Sequence, residues 1–528
     1  ASIALEKLIE CVARGRRRRL TIDAIDEALK TALPSTINSH RALRSLTAWS
    51  DSLASYRGER FPGTPVRESD WVALAARLLV VLGSQYLAHI LVSRPALAGV
   101  LAENYDLGDT TDFFRVIRAA TEVESEPASR ADALRRVWLQ LMLRIGSRDM
   151  AEVSGRLSRV DGGQRTEARD QKSAVGGQRS LDVVRLSASD DVLRASNLEQ
   201  TALAEAVLSE AVEIVLESMG FKSYGQLSAS DGSRVLPFAV LGLGRLGHAG
   251  MDYGSDLDLL VVFDDEAEWP PSMLVDRDSI GALRNFQSPQ EFYAKITSQL
   301  VRVLSSITRE GLLYRVDLRL RPEGKSGPLA QGLTNLTAYL KTRASAWEHS
   351  AYLKAREITG DLRLGARART AICDACFDAA SRNSLLKEEL AAMRTRLENE
   401  KASSSRPDIK WGKGGMTDVY FITRYIQLRD RIYFPTERGT TALIKHLGEL
   451  GALDAGSTQT LFEGYWFLRN LDHWMRLLVD RPRPVLPASA GAMGDITRAM
   501  GLVSVEELED AVAHHTSAIR EVYARVFG

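Results

Sequence analysis

The sequence predicts an α/β (α+β) unit with a mixed sheet, set between mostly α-helical regions. Three observations predict it. Residues 1–152 are rich in Ala, Leu and Arg, with apolar residues at helical spacing, as in Ala73-Leu74, Arg77-Leu78-Leu79 and Val81-Leu82. Further on the period switches to that of strands: RVLPFAVLGLG, LDLLVVF and LLYRVDLRL are short, rich in Val, Leu and Phe, and bounded by Gly or charged turns. After about Leu364 the helical pattern returns and continues to the end of the chain, clearest in GTTALIKHLGELG, TLFEGYWFLRNLDHWMRLLVD and VEELEDAVAHHTSAIREVYARVF.

Taken in order, the N-terminal helices give way to a segment of Gly, Ser, Gln, Arg and Asp, including DGGQRTEARDQKSAVGGQRS. Too little apolar content is present there to offset the entropy of ordering, so residues 153–197 are expected to form a flexible insert or linker. A helix resumes in TALAEAVLSEAVEIVLESMG, where Gly220 is placed to end it in a left-handed cap. Between the second and third strand segments lies SPQEFYAKITSQLVRVLSS. Ser288, Pro289 and Glu291 make a capping box with Pro at the first helical position, and Phe292, Ile296, Leu300 and Leu304 follow at four-residue steps. The expected division is a helical region at 1–152, the insert at 153–197, the α/β domain at 198–364 and a helical domain at 365–528.

Composition narrows the function classes. Lys plus Arg equals Asp plus Glu at 68 each, so no global field recruits nucleic acid or an anionic membrane. The most apolar region, Trp71 to Ala102, is interrupted by Arg77, Gln85, His89 and Arg94 and reads as buried helix, not as a membrane span. Three cysteines (Cys11, Cys373, Cys376) and no N-terminal cleavable apolar segment fit a reducing cytoplasm. Cys373 and Cys376, without a second pair, read as buried thiols. The run Arg16 to Arg19 reads as a solvated helix end, and His514 and His515 need no special role. Trp466, Phe467, Trp474 and Met475 fall at helical spacing, as a packed core does.

The chemistry concentrates in GLGRLGHAGMDYGSDLDLLVVFDD, from Gly242 to Asp265. On a strand Asp256 and Asp258 share one side while Leu257 and Leu259 take the other. Two like charges about 7 Å apart beside a core strand are unfavourable unless cations neutralise them or water solvates them, and a divalent metal is the natural explanation. Oxygen-only ligation suits Mg²⁺ or Mn²⁺ and argues against zinc. A third carboxylate, Asp317 in YRVDLRLRPEG, is expected on the same face of its strand as Arg315 and Arg319, with Val316, Leu318 and Leu320 buried. If that strand pairs with the Asp256 strand, three carboxylates can hold two metal ions about 4 Å apart, as in-line phosphoryl substitution requires. Backbone amides at Gly244 and Gly247 can approach a polyphosphate, with Arg245 supplying charge. GLGRLG after a strand also fits a dinucleotide-binding turn, but HAGMDYGSD interrupts the helix that such a turn opens, and no acidic residue ends a second strand in the expected context.

A glycine turn, a spacer, Asp-Leu-Asp on one strand and a lone Asp on a later one resemble the polymerase-β-type nucleotidyltransferase superfamily. Longer runs in order, GLGRLG…YGSDLDL, YRVDLRLRPEGKSGPLA, AWEHSAYLKAR followed by GD, and IKWGKGGMTDVYFITRYIQL, resemble the glutamine synthetase adenylyltransferase family over about Leu203 to Pro487. That family's full enzyme has two similar catalytic halves, one attaching AMP to a tyrosine of glutamine synthetase and one removing it by phosphorolysis; the present chain resembles one half. The resemblance implies that Asp256 and Asp258 bind both metals, and that Asp317 completes the nucleophile-side metal and helps remove the tyrosine proton. It places Gly244, Arg245, Gly247 and Ser255 on the triphosphate of ATP, with Arg319 among the nucleotide contacts. Lys354, Arg356, Lys410, Gly414 and Gly415 become candidates for phosphate or for orienting the acceptor.

The resemblance departs at four positions. His248 and Gly250 stand where the family has Gly and Glu, and Tyr420 and Arg424 where it usually carries an acidic residue and Gln. GSDLDL, WEH and GGMTDVYFITRYIQL look like the AMP-attaching half, whereas YRVDLRLRPEGKSGPLA and FLRNLDHWMRLLVDRPRPVLP look at least as much like the AMP-removing half. AMP attachment is the reading carried forward, with glutamine synthetase as substrate and a PII-type signalling protein as a further partner. Phosphorolytic removal and a non-catalytic regulatory module are the alternatives.

Overall fold

The computed structural model describes residues 29–30, 32–34, 36–55, 71–102, 112–161, 187–221, 236–269, 286–403, 405–480 and 484–528. Cys11, the Arg16 to Arg19 run and the Gly-rich heart of the expected insert lie outside the described residues. The chain forms two compact units built from discontinuous segments, one of residues 1–111, 139–196 and 469–512, the other of 112–138, 197–468 and 513–528. The regions expected as separate N- and C-terminal helical domains therefore each contribute to both units. Composition along the chain reports local periodicity, and long-range packing leaves no mark on it.

In the first unit the apolar stretch is three short pieces: helices Trp71–Leu82 and Gln85–Ser93 and a 3₁₀ segment Pro95–Ala102. Residues 73–82 and 85–93 meet at a bend of 113°, and among the described residues no single helix is long and apolar enough to cross a membrane. Ser84 makes the bend. Its hydroxyl caps the second helix by accepting from the Leu87 amide at 3.1 Å and donates to the Leu477 carbonyl at 2.6 Å. Asp495, fully buried, accepts from Arg41 at 2.7 Å and from Asn38 at 2.9 Å, so its charge is compensated.

The second unit holds a small mixed sheet among helices. β1 (Phe238–Gly242) pairs antiparallel with β2 (Leu257–Phe263) and, on its other edge, with β5 (Arg356–Gly360). β2 carries two short parallel neighbours, β3 (Val316–Asp317) beside its start and β4 (Ala330–Gly332) beside its end. The helix Leu362–Arg382 packs on β1, β2 and β5, and the helix Pro289–Ser305 on β3 and β4. Both strands of the β1–β2 pair are buried almost throughout, which is why LDLLVVF reads as a continuous apolar run and not as an alternation. Tyr293 fixes the second helix on the sheet, its ring 4.9 Å from Phe263 and 5.5 Å from Phe238.

Several expectations stand in this fold. Ser288 caps the Pro289–Ser305 helix, Glu291 reaches back to the Gln287 amide at 2.9 Å, and Phe292, Ile296, Leu300 and Leu304 are buried. Gly220 has φ +90° just past the Ser187–Ser218 helix. Cys373, Cys376, Phe467, Trp474 and Met475 are buried. The helices Leu386–Lys401, Met416–Asp430, Thr440–Glu449, Ala455–Val479 and Val505–Phe527 fill the expected helical region.

Two expectations are corrected. Helices Pro127–Asp161 and Ser187–Ser218 run into the 153–197 segment from both sides, so regular structure covers both its ends. LLYRVDLRL is a strand over two residues only, and Val316, Leu318 and Leu320 are half-buried, not a core face. The reason is local. The Arg319 amide folds back onto Asp317 Oδ1 at 2.8 Å, and the buried Arg321 guanidinium gathers the carbonyls of Leu318, Lys325 and Gly327 at 2.8 to 3.0 Å, turning the chain.

Candidate active site

The site is built where β1 turns into β2. After Gly242 the chain makes a one-turn helix, Gly244–Gly247, and returns through a tight loop to β2. Gly244 has φ +51°, and a Cβ there would stand 1.7 Å from Oδ2 of Asp258. A Cβ on Gly247 would meet the Lys354 carbonyl oxygen at 2.2 Å. The first glycine therefore seats a carboxylate and the second admits β5.

β3 delivers the other carboxylate. In the parallel register Leu257 pairs with Val316 and Asp258 with Asp317, so the two acids are neighbours on adjacent strands. Asp256 precedes β2 and is exposed. Burial, reinforced by the charge of Asp317 and then of Asp256, pushes the Asp258 carboxyl up to about 6, with Lys354 and Lys410 opposing. At Asp317 burial acts upward too, but hydrogen bonds from the Arg319 side chain and amide outweigh it and hold that carboxyl below its ordinary value. Arg319 in turn is held charged by Asp317 foremost, with further contributions from Asp258 and Asp256.

Among the described residues no group of three or more His, Cys, Asp or Glu is drawn together tightly enough to grip one ion. Asp258 and Asp317 stand side by side, Asp256 lies at the strand mouth, and Arg319 occupies Asp317. The donor chemistry nonetheless suits a hard divalent cation: oxygen ligands only, and a half-buried carboxylate whose charge is opposed by two like neighbours.

The nominated phosphate ligands divide into two groups. Ser255 accepts from the Asp252 amide at 3.1 Å and closes the loop ahead of β2, and Arg245 lies 3.5 Å from Asp252. Four other nominated positions have partners within the fold. The Gly247 amide donates to the Leu243 carbonyl at 2.7 Å. Arg356 binds Glu205 at 2.5 Å and the Leu246 carbonyl at 2.8 Å, tying the glycine turn to the Ser187–Ser218 helix. The Gly414 amide donates to Asp418 Oδ2 at 2.8 Å and the Gly415 amide to the Gly412 carbonyl at 3.0 Å, inside a loop that opens the Met416–Asp430 helix. Lys354 and Lys410 each act on Asp258 through space, and Lys410 lies 4.5 Å from the Trp411 ring centre.

Three of the four departures meet in space, which their separation along the chain hides. Arg424, buried, donates to His248 Nε2 and to the Gln427 side chain and lies 5.6 Å from the Tyr420 ring. His248 must therefore be neutral with its proton on Nδ1. Burial, followed by the charges of Lys354 and Arg424, drives its pKa well down in agreement. Phe434 contributes a ring 4.6 Å from Arg424 and 5.0 Å from His248. Gly250 keeps only the Arg245 carbonyl near its missing Cβ, at 3.9 Å.

Comparison with known proteins gives two family matches. Residues 178–371 match the family model of the glutamate-ammonia ligase adenylyltransferase, and residues 384–527 match that of the GlnD PII-uridylyltransferase. The chain is 29% identical over 335 residues to a bifunctional glutamine synthetase adenylyltransferase/adenylyl-removing enzyme of Xanthobacter autotrophicus, covering 63% of the chain and 33% of that protein. Proteins of the same description from Rhizobium meliloti (29% identity, 61% of the chain, 32% of the protein) and Nitrosococcus oceani (29%, 66% and 34%) are similarly related. The chain spans about a third of the length of the curated relatives it matches. The first match contains β1, β2, the glycine turn and all three aspartates, so the resemblance carried by the motifs is found independently in the stretch that builds the site.

Proposed function

We propose that this chain transfers AMP from ATP to a tyrosine of glutamine synthetase, in the cytoplasm, at the carboxylates beneath the Gly244 turn. The observation that carries the reading is the register of Asp258 against Asp317 with Oδ2 of Asp258 seated under Gly244, inside the stretch that matches the adenylyltransferase family. The tyrosine oxygen attacks the α-phosphorus, the bond to the β-phosphate bridging oxygen breaks, pyrophosphate departs, and the hydroxyl proton passes to Asp317. Asp317 is a poor acceptor while Arg319 holds it, so we assign Arg319 a move from Asp317 to the triphosphate when ATP enters. Asp256, Asp258 and Asp317 would hold Mg²⁺ or Mn²⁺, which when bound neutralises charge on the phosphates. Lys354, Lys410 and Arg245 add positive charge around the same carboxylates. Most of the acceleration then comes from positioning and charge.

The match of residues 384–527 supports a PII-type protein as a regulatory partner. AMP removal by phosphate is the second reading, favoured by the two activities in the relatives' description. Incubation with unmodified glutamine synthetase, ATP and Mg²⁺, followed by intact mass, should show addition of AMP. Incubation of the modified enzyme with phosphate separates the reverse reaction. No change in the first experiment with loss of AMP in the second defeats the attaching reading, and no change in either leaves the regulatory module.

A further inference from the structure

The Lys354 ammonium has an unusual holder. Its Nζ lies 4.4 Å from the centre of the Tyr420 ring, and among the described residues no carboxylate comes within ion-pair distance of it. Its backbone is pinned where the carbonyl meets Gly247, and Asp258 is pinned where its carboxylate meets Gly244, so the same one-turn helix locates both. Tyr420 itself is fixed on the Met416–Asp430 helix, edge-on to buried Phe421 at 5.3 Å. Arg424, one turn on, shares the ring at 5.6 Å and is anchored by Gln427 and His248, neither of them a carboxylate.

We infer that Tyr420 is a positioning residue of the site: its ring face holds the Lys354 ammonium toward Asp258, ready for a nucleotide phosphate. A carboxylate in that place would pair with the lysine and neutralise it, whereas a π face attracts the cation without neutralising it. Burial first, then repulsion from the charges of Arg424, Lys410 and Arg245, drives the ammonium's pKa well down, with Asp258 opposing. An anionic phosphate entering this cluster relieves that repulsion and fixes the charge on Lys354. Lys354 and Arg424 are thus two cations of this corner that ion-pair with no carboxylate among the described residues, and of the two it is Lys354 whose charge acts on Asp258.

The inference rests on the AMP-transfer reading, and its test is a binding cycle that needs no turnover. An ATP analogue with a non-cleavable α–β bridge, with Mg²⁺, is titrated calorimetrically into the wild type, Tyr420→Phe, Tyr420→Trp, Tyr420→Leu, Lys354→Met and the Lys354→Met/Tyr420→Leu double variant. Melting curves accompany each, and Tyr420→Met replaces the leucine variant if that does not fold. Phe and Trp should bind within about twofold of wild type, since the ring supplies the attraction. Tyr420→Leu and Lys354→Met should each weaken binding roughly tenfold, the upper part of the cation–π range, and the double variant no further than either. Leucine within twofold of wild type, Phe as weak as Leu, additive losses, or no binding by the wild type each overturn the inference. A coupled cycle in a protein that transfers no AMP defeats the transfer reading and leaves the positioning role standing.

Discussion

Arg319 donates from Nε to both carboxylate oxygens of Asp317, at 3.0 and 2.9 Å, although 71% of its own side chain is exposed. An exposed arginine on a half-buried acid is a replaceable counter-ion. Its removal should cost little stability, within about 1 kcal/mol, because solvent screens the pair. If it moves to the triphosphate, Arg319→Ala should raise the KM for ATP by roughly tenfold to a hundredfold, the range of charge-assisted hydrogen bonds, with a smaller change in kcat. Steady-state kinetics decide; an unchanged KM with a higher kcat would show that the arginine only inhibits.

Gly244→Ala tests the seat of Asp258. The added methyl would stand 1.7 Å from Oδ2 at a backbone with φ +51°, so either the carboxylate or the turn must move. Strain at such a position is of order 1–3 kcal/mol. Melting should fall modestly while transfer falls by more than a hundredfold, measured by intact mass of glutamine synthetase. Equal residual activity would mean that Asp258 tolerates relocation and is no ligand.

Asp258 also predicts a pH dependence. Its folded pKa of about 6 lies above the ordinary 3.8, so the folded state binds this proton more tightly than the unfolded chain. The stabilisation is complete below about 3.8 and is lost as pH rises through 6. Asp258→Asn should therefore stabilise the ligand-free protein at pH 7, by up to about 3 kcal/mol, and by only about 0.5 kcal/mol at pH 4, while abolishing transfer. Urea titrations at the two pH values provide the comparison, and a variant less stable at pH 7 refutes it.

The strands that carry the site were legible because a buried strand leaves a short apolar run between turn signals, as LDLLVVF and FAVLG do. The Ser288 cap was legible because its partners are within four residues. Asp317 was nominated as a third carboxylate on a predicted strand, yet that strand proved two residues long, since the side chains that turn the chain after it, Arg319 and Arg321, are residue types equally at home on a strand. The contacts of Arg424 with His248 and of Lys354 with Tyr420 bridge distant segments, and no local pattern reports them. Gly414 and Gly415 in the 412–415 loop were candidates for phosphate or for orienting the acceptor, and a tight backbone turn has one sequence signature whether it wraps an anion or a neighbouring carboxylate.

That loop has its own test. Asp418, fully buried, accepts from Arg394, from Arg520 at 3.1 Å and from the Gly414 amide at 2.8 Å. Arg394, 1% exposed, also donates to the Gly412 carbonyl at 2.8 Å, so one ion pair organises the whole turn. Asp418→Ala takes one of two carboxylates from the buried Arg394, whose other is Glu398 at 3.1 Å, and leaves the Gly414 amide without its acceptor, a loss of about 1–3 kcal/mol. The substitution should therefore lower the urea midpoint. If Gly414 and Gly415 serve the fold and not the nucleotide, the fraction that remains folded should bind the non-cleavable ATP analogue with near-wild-type affinity. A variant that keeps its stability but loses nucleotide binding would return these glycines to the phosphate site.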